Sequence, residues 1–431
     1  MSFQTGLTGL NAATKNLDVI GNNIANANTV GAKSSRAEFA ALVSSAGSSG
    51  SDEGQGIGVA VATVAQQFTQ GSINITGNSL DVAINGGGFF QITTTEGKPA
   101  YTRDGQFKLD RQGNMVTNLG ANVMGYALDS SGQPTSVAPT KLTVPSGAPI
   151  AASATTSIVA ELNLDARAPV ANTVTPPTPI TTYGTAVTAF DSQGLEVPLQ
   201  LYFTRVDSTP AAVGPPAVSA ADNWAVYVDN PDAVAATATP YVPLEYTTAT
   251  GTEALVLNFN KSGQLTSPLD AKSIILASTN PVIGNFDVSL DVTKASQFGS
   301  AFQVSKLTQD GYTAGDLTGV AIDATGVLET RYSNGQTKRL AQLTLADFRN
   351  PQGLTPISGG AWVETFASGQ PIQGKPSQGK FGELRAGAVE DSNVDLTAEL
   401  VAMMTAQRSY QANVQTIKTQ DQAVQALVNL R

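Results

Sequence analysis

The chain has 431 residues, of which 13% are charged, about half the share near 25% that is usual in soluble domains. It carries 24 Lys and Arg against 34 Asp and Glu, a net charge of −10, and neither histidine nor cysteine. This composition excludes Ser-His-Asp and Cys-His catalysis, Cys/His zinc sites, thiolate or imidazole ligation of haem and iron–sulfur clusters, and disulfides. The acidic balance also disfavours phosphate backbones and anionic membranes, so neither nucleic acid nor membrane insertion is expected. No run approaches eighteen consecutive apolar residues, and MSFQTGLTGLNAATKNLDVIGN at the N-terminus lacks the basic and continuously apolar regions of a cleaved signal peptide.

The first element predicted is a helix. Phe3, Leu7, Leu10, Thr14, Leu17, Gly21 and Ile24 fall three and four apart, and the pattern stops at ANANTVG (Ala25 to Gly31), where Asn and Gly form turns. Residues 44–58, SSAGSSGSDEGQGIG, read as a Gly/Ser linker. Beyond it the chain reads as β. Asp or Asn with Gly recurs as RDGQ at 103–106, DRQG at 110–113, DSSG at 129–132, DSQG at 191–194, NKSG at 260–263, DATG at 323–326 and SNGQ at 333–336. Each is flanked by alternating apolar residues, the signature of hairpins in sandwiches or small barrels.

Proline divides the chain. Residues 1–98 and 377–431 hold none, while 14 of the 22 prolines lie between 146 and 283. That stretch also holds four Lys and Arg against eleven Asp and Glu, and loose tracts such as PVANTVTPPTP from Pro169 and STPAAVGPP from Ser208. Its composition marks it as a domain inserted into another.

The last element predicted is a long helix over 393–430. Leu396, Leu400, Met403, Tyr410, Val414, Ile417, Val424 and Val428 keep an a/d register for about four and a half heptads, with Gln407 and Asp421 at the two remaining seam positions. Ser392 with Asp395 suggests a capping box at its start. At ~1.5 Å per residue this helix spans about 55 Å against about 35 Å for the first, so pairing the two leaves apolar seam uncovered. An exposed seam of that kind is an association surface, and the self-assembly residues expected are Phe3, Leu7, Leu10, Leu17, Ile24 and the eight apolar seam residues from Leu396 to Val428.

Local patterns that invite a chemical reading are weak. GQGIGV (Gly54 to Val59) puts Val59 where a dinucleotide fingerprint needs its third glycine and reads as linker. GGGFF (Gly86 to Phe90) reads as a close backbone approach followed by two core aromatics, and none of the Asp-x-x-Gly turns continues as a calcium loop. No carboxylate pair stands out for glycoside hydrolysis. No catalytic residue, metal ligand or cofactor is therefore expected.

The strings LDVIGNNIANANTVGAKSSRAEFAAL (Leu17 to Leu42) and SNVDLTAELVAMMTAQRSYQANVQTIKTQDQAVQALVNLR (Ser392 to Arg431) closely resemble the two ends of the bacterial flagellar rod and hook axial proteins. LDVAINGGGFFQI at 80–92, YTRDGQFKLD at 101–110 and DGYTAGDLTGVAID at 310–323 resemble the hook branch of that family, while the insert agrees less well. Ala32 departs from the pattern, which carries an aromatic residue before Lys33. The resemblance implies a multidomain α+β chain: paired terminal helices, coiled-coil-like, around a channel, with nested all-β domains of sandwich or barrel type projecting outward. It assigns 1–32 with 388–431 to a helical assembly domain, 33–70 with 366–387 to a connecting segment, 71–145 with 284–365 to an inner β domain and 146–283 to an outer one.

The implied function is a non-enzymatic subunit of a curved hollow tube that serves as a universal joint between rod and filament. Its implied partners are other copies of itself, the rod below, hook–filament junction proteins above, a hook cap during growth and the type III export apparatus. Its implied location is extracellular, in the flagellar hook, after export without a cleaved signal peptide. A distal rod subunit shares both terminal signatures but rod relatives usually lack such an insert; a β-rich adhesin would explain the acidic middle but not the matching helical ends.

Overall fold

Residues 2–43, 56–129, 131–145, 149–171, 180–206, 222–229, 241–248, 251–278 and 280–429 are described by the structure, a computed structural model of the chain. The proline-rich tracts at 172–179 and 207–221 lie outside them. The chain divides into two compact units, one of residues 1–148, 317–331 and 337–431, the other of 149–316 and 332–336.

The first unit contains both terminal helices, α1 (Ser2–Ala25) and α2 (Leu396–Asn429). Neither contains proline, and α2 is rich in Ala, Gln, Leu and Met, which cost little helix propensity. The cap of α2 is Asp395, whose Oδ1 accepts from the N–H groups of Thr397 at 2.9 Å and Ala398 at 3.1 Å. The capping box expected from Ser392 does not form; Ser392 accepts from Val394 N–H instead, because residues 392–394 are still part of the loop.

Between α1 and the β body runs an antiparallel hairpin, β1 (Ser35–Val43) and β2 (Gly56–Gln66), in a register that sets Ala37 opposite Val64 and Phe39 opposite Val61. The expected linker 44–58 thus yields to a strand from Gly56 onward, GQGIGV included from that point; residues 44–55 lie outside the described set. The second half of the expected connecting segment is also β: Ile372–Gly374 pairs with Leu345–Asp347, and Glu383–Ala386 with Val82–Asn85. These strands are too short to show an alternating pattern in sequence.

Thirteen strands form the main sheet of this unit among the described residues, its path running through Asn122–Ala127, Phe89–Thr93, Pro99–Thr102 and Ala361–Val363. Phe90 and Phe107 meet edge to face at 5.1 Å inside its core, with Ile84, Met115, Leu142 and Leu343 buried around them. Phe89 faces the other way into an aromatic cluster with Tyr101, Phe348, Trp362 and Phe68. The GGGFF run is therefore structural: a side chain on Gly86 would meet the Gly382 backbone at 2.8 Å, and each phenylalanine fills a different core.

The second unit is two facing sheets whose strands alternate cleanly. Ser157–Asp165 buries Ile158, Ala160, Leu162 and Leu164, and Glu196–Val206 buries Val197, Leu199, Leu201 and Phe203. Trp224, Leu257, Phe259 and Ile274 complete the core. The expected end of this domain at 283 falls in the turn between Lys272–Ala277 and Asn285–Asp291, which pair with one another. Hydrogen bonding carries the unit on through Gln303–Gln309 to residue 316. Proline marks its loops, and its last strands have none, which is why composition stops short.

Six of the seven turn signatures close as turns. Asp110, Asp129, Asp191, Asn260 and Asp323 each accept, through Oδ1, the N–H groups two and four residues on. The glycine of each, 113, 132, 194, 263 or 326, stands at φ between 74° and 80°, as does Gly335 of SNGQ at 79°. RDGQ at 103–106 is no hairpin: Gly105 lies against the Val82 carbonyl, and Arg103 turns inward.

Candidate functional site

The helices pair antiparallel. Gly6 of α1 faces Ile417, Gly9 faces Asn413, and the Asn23 amide donates to Glu399 Oε1 at 2.9 Å. Small residues set this approach: a Cβ on Gly6 would stand 3.1 Å from Ile417 Cγ1, and one on Gly9 2.9 Å from Asn413 Oδ1. Ala12, Ala13, Val19, Ile20 and Ala406 are the apolar side chains buried at this contact and its flank. A groove of 550 Å³ remains between the helices and β1–β2, walled by Gly9, Ala13, Ala402, Ala406, Phe39 and Val59.

The inward face of the pair takes up only part of the heptad seam read from sequence. Leu7, Leu396, Leu400 and Tyr410 of that seam are exposed; Leu10, Leu17, Ile24, Met403, Val414 and Ile417 are half-buried. The side chains of Phe3, Val424 and Val428 lie outside the described residues. Among the described side chains of α2, Leu396 at 47%, Leu400 at 47%, Val401 at 53% and Met404 at 53% exposure form an apolar stripe. Val401 and Met404 fall outside the a/d register, which selects a narrower seam than a globular helix presents. Phe39, Val61 and Val64 of the hairpin are exposed too.

At ~1.5 Å per residue the 24 residues of α1 span about 36 Å and the 34 of α2 about 51 Å, so the C-terminal turns of α2 run past the start of α1. The opposite end of the pair is tied down by amides. Asn23 Nδ2 donates to the Ser35 carbonyl at 2.8 Å and its Oδ1 accepts from Ser35 N–H at 2.8 Å. Asn393 Oδ1 accepts from Ser34 N–H at 2.7 Å while its Nδ2 donates to the Gln67 carbonyl at 2.7 Å. Along α2, the hydroxyls of Thr405, Ser409, Thr416 and Thr419 donate to carbonyls of their own helix.

Elsewhere, a 640 Å³ cleft in the inner sheets is lined by Ile92, Leu119, Ile357, Val363 and several threonines, with Asp104 at its wall. Burial pushes the Asp104 carboxyl above its usual range, against the Gln106 N–H that it accepts. Among the described residues no group of three or more Asp and Glu is placed to hold a metal ion. What the geometry offers is apolar helix surface.

Four family models match successive parts of the chain: the flagella basal body rod protein over 3–33, the flagellar hook protein FlgE/F/G D1 domain over 83–161, the flagellar basal body protein FlaE D2 domain over 163–312 and the flagellar basal body rod FlgEFG protein C-terminal over 385–430. The chain is 39% identical over 439 residues to the flagellar hook protein FlgE of Salmonella typhimurium and 38% identical over 443 residues to that of Escherichia coli, in each case covering all of both chains. The chain belongs to the flagellar hook protein FlgE family. A FlgE protein of Rhizobium meliloti is 31% identical across the whole of this chain and 98% of its own.

The crystal structure of the Helicobacter pylori hook protein FlgE2 superposes on 72% of this chain and 98% of its own with a TM-score of 0.52 at 16% identity, which shows a shared fold. As a FlgE protein the chain is a structural subunit of the flagellar hook, in a family not known as enzymatic. Full-length agreement with hook proteins does not favour the distal rod or adhesin readings. Family membership also implies a self-polymerising component of an assembly exported outside the cell.

Proposed function

We propose that the terminal helix pair is the polymerising element, and that neighbouring copies cover the stripe of Leu396, Leu400, Val401 and Met404. The copies close into a curved hollow tube that works as a universal joint, passing torque from the rod to the filament. The single observation that carries this reading is the apolar stripe that α1 leaves in water. Full burial of a large apolar side chain contributes ~1.5–3 kcal/mol, and these four are about half exposed, so their remaining surface supplies several kcal/mol per copy. A contact between unlike surfaces repeats without closing, which is how one chain builds a helical filament. Leu7, Leu10, Leu17, Ile24, Met403, Tyr410, Val414 and Ile417 lie on the same two helices and extend the seam, with Phe3, Val424 and Val428 at its end.

In this reading the tube stands on the rod, meets junction proteins above and grows beneath a cap. Its subunits leave the cell through the type III apparatus. The test is electron microscopy of the concentrated full chain beside a chain ending at Asp395. Curved hollow tubes from the full chain alone are expected. Tubes from the shortened chain would show that α2 is dispensable and overturn the proposal.

A further inference from the structure

The 640 Å³ cleft of the first unit is largely apolar and holds one carboxyl without a cationic partner. Ile92, Ala121 and Ala361 line it from the core and are buried, whereas Leu119 and Ile357 at its edge are exposed. Glu96 and Lys98, also at the edge, pair with each other in water at 3.1 Å. Asp104 has no such partner. Its Oδ1 accepts from Gln106 N–H at 3.0 Å, and among the described residues no donor reaches Oδ2. Burial, and to a lesser degree the nearby Asp81, push this carboxyl above its ordinary range, and a cation seated in the cleft would favour its charged form. The volume is that of a ligand-sized site, ample for one long side chain.

A matching cation stands one hairpin away. Phe107–Leu109 pairs with Met115–Thr117, with Phe107 opposite Thr117 and Leu109 opposite Met115. At one end of this hairpin Thr117 and Asn118 line the cleft. At the other, the DRQG turn at 110–113 carries Arg111 into water. Its neighbour Asp110 is taken up by the turn itself: Oδ1 accepts from Gln112 N–H at 2.9 Å and Asn114 N–H at 2.7 Å, and Oδ2 from Asn114 Nδ2 at 2.7 Å. Among the described residues Arg111 makes no ion pair. Lys141, exposed beside the turn, adds a second positive charge there. One end of the hairpin is therefore basic and the other borders an acidic cleft.

We propose that the cleft is a socket for a second copy of this chain, entered by Arg111 on the neighbour's 110–113 turn, whose guanidinium pairs with Asp104. Arginine suits the place. Its methylene stem lies along apolar wall while the weakly hydrated guanidinium presents a planar fork of donors to the carboxylate. The turn is held by its own hydrogen bonds before contact, so seating it costs little order. Plug and socket are unlike surfaces at opposite ends of one hairpin, so a copy that has joined one neighbour still offers a free plug or socket to the next, and the contact repeats. The proposal rests on polymerisation of the chain, which family membership implies, and adds to the helix stripe a second contact on the β body.

The test is a double-mutant cycle in the full chain on Asp104→Asn and Arg111→Gln, read as the critical concentration for tube formation. Each single variant is expected to raise it about tenfold and the double variant no further, because either change removes the same ion pair. Asparagine still accepts from Gln106 N–H and Arg111 is exposed, so near-ultraviolet dichroism and melting of the β units are expected to stay parental in both. Additive effects, or an unchanged critical concentration, overturn the proposal. The absence of cysteine allows a direct reading as well. Thr95→Cys, at an exposed position lining the cleft, carries a benzophenone maleimide, and tubes mixed from isotope-labelled and unlabelled chains are irradiated. Crosslinks between copies to residues 108–114 are expected; crosslinks between copies only elsewhere, or only within one copy, overturn the socket. Leu400→Asp separates the two contacts. Tubes from that variant with a non-additive cycle would remove the helix stripe and keep the socket, whereas their loss with an additive cycle would do the reverse.

Discussion

The helix pair and the second unit hide their apolar surface to opposite degrees. The second unit buries Trp224, Phe203, Phe259, Leu201 and Leu257 almost completely between two sheets. The helix pair buries mostly alanine and two β-branched residues, and leaves Leu7, Leu396 and Leu400 exposed. A close-packed core of large side chains supports a fold by itself, whereas two helices meeting through Gly6, Gly9, Ala12 and Ala13 gain little from each other. One part of the chain completes its core as it folds, while the other keeps apolar surface that, in the proposed reading, neighbouring copies cover.

The largest expected break of that contrast is Leu400→Asp. A carboxylate in the exposed stripe costs the free subunit little but meets a desolvated contact on assembly. Sedimentation and electron microscopy should show tubes lost altogether while the β units melt unchanged. Next is Leu257→Ala, which opens a void in a fully buried site of the second unit and should cost ~2–5 kcal/mol in denaturant titration. The α-helical dichroism of the ends is expected to be unaffected; a matching loss there would mean the two parts do not fold independently.

Asn23→Ala should act more mildly. It strips the partners from Ser35 N–H and Glu399, at a cost of about 1–3 kcal/mol, seen as faster hydrogen exchange at the base of α1 and α2. The smallest effect is at Asp191. Burial pushes its carboxyl up, but the Ser278 hydroxyl and the N–H groups of Leu195 and Gln193 outweigh burial and hold it below its ordinary value. A depressed folded pKa contributes stability above the ordinary Asp value of about 3.9 that is lost as pH falls through the folded value. Acid titration of the second unit should show that loss in the parent and a flatter profile in Asp191→Asn.

Much of this plan was legible in the residues. The helical ends followed from absent proline and three-four apolar spacing, and the Asp-x-x-Gly turns from side chains that cap their own backbone. The hairpin β1–β2 was not legible, since Ala, Gly and Ser at its strand positions look like linker until a partner strand supplies hydrogen bonds. Nor was the buried cluster in which Glu390 pairs with Lys33 and Arg103: Lys33 is 357 residues away and Arg103 287, and three isolated charges carry no pattern. The heptad register located the right helices but not which residues each turns inward, because Gly6, Gly9 and the alanines let the helices approach closely and set much of that face. The assembly residues themselves remain a proposal carried by exposure on α2.

The Asn23–Glu399 contact joins positions 376 residues apart, near the two extremes of the chain. A chain synthesised from its N-terminus carries α1 from the start, yet α1 has no helix to lie against until the final segment exists. Any product cut short before α2 is therefore left with an unpartnered first helix and lacks the leucine stripe. If the helix pair is the polymerising element as proposed, the antiparallel closure of the ends acts as a completeness check, written into topology, on the subunits that join the growing structure.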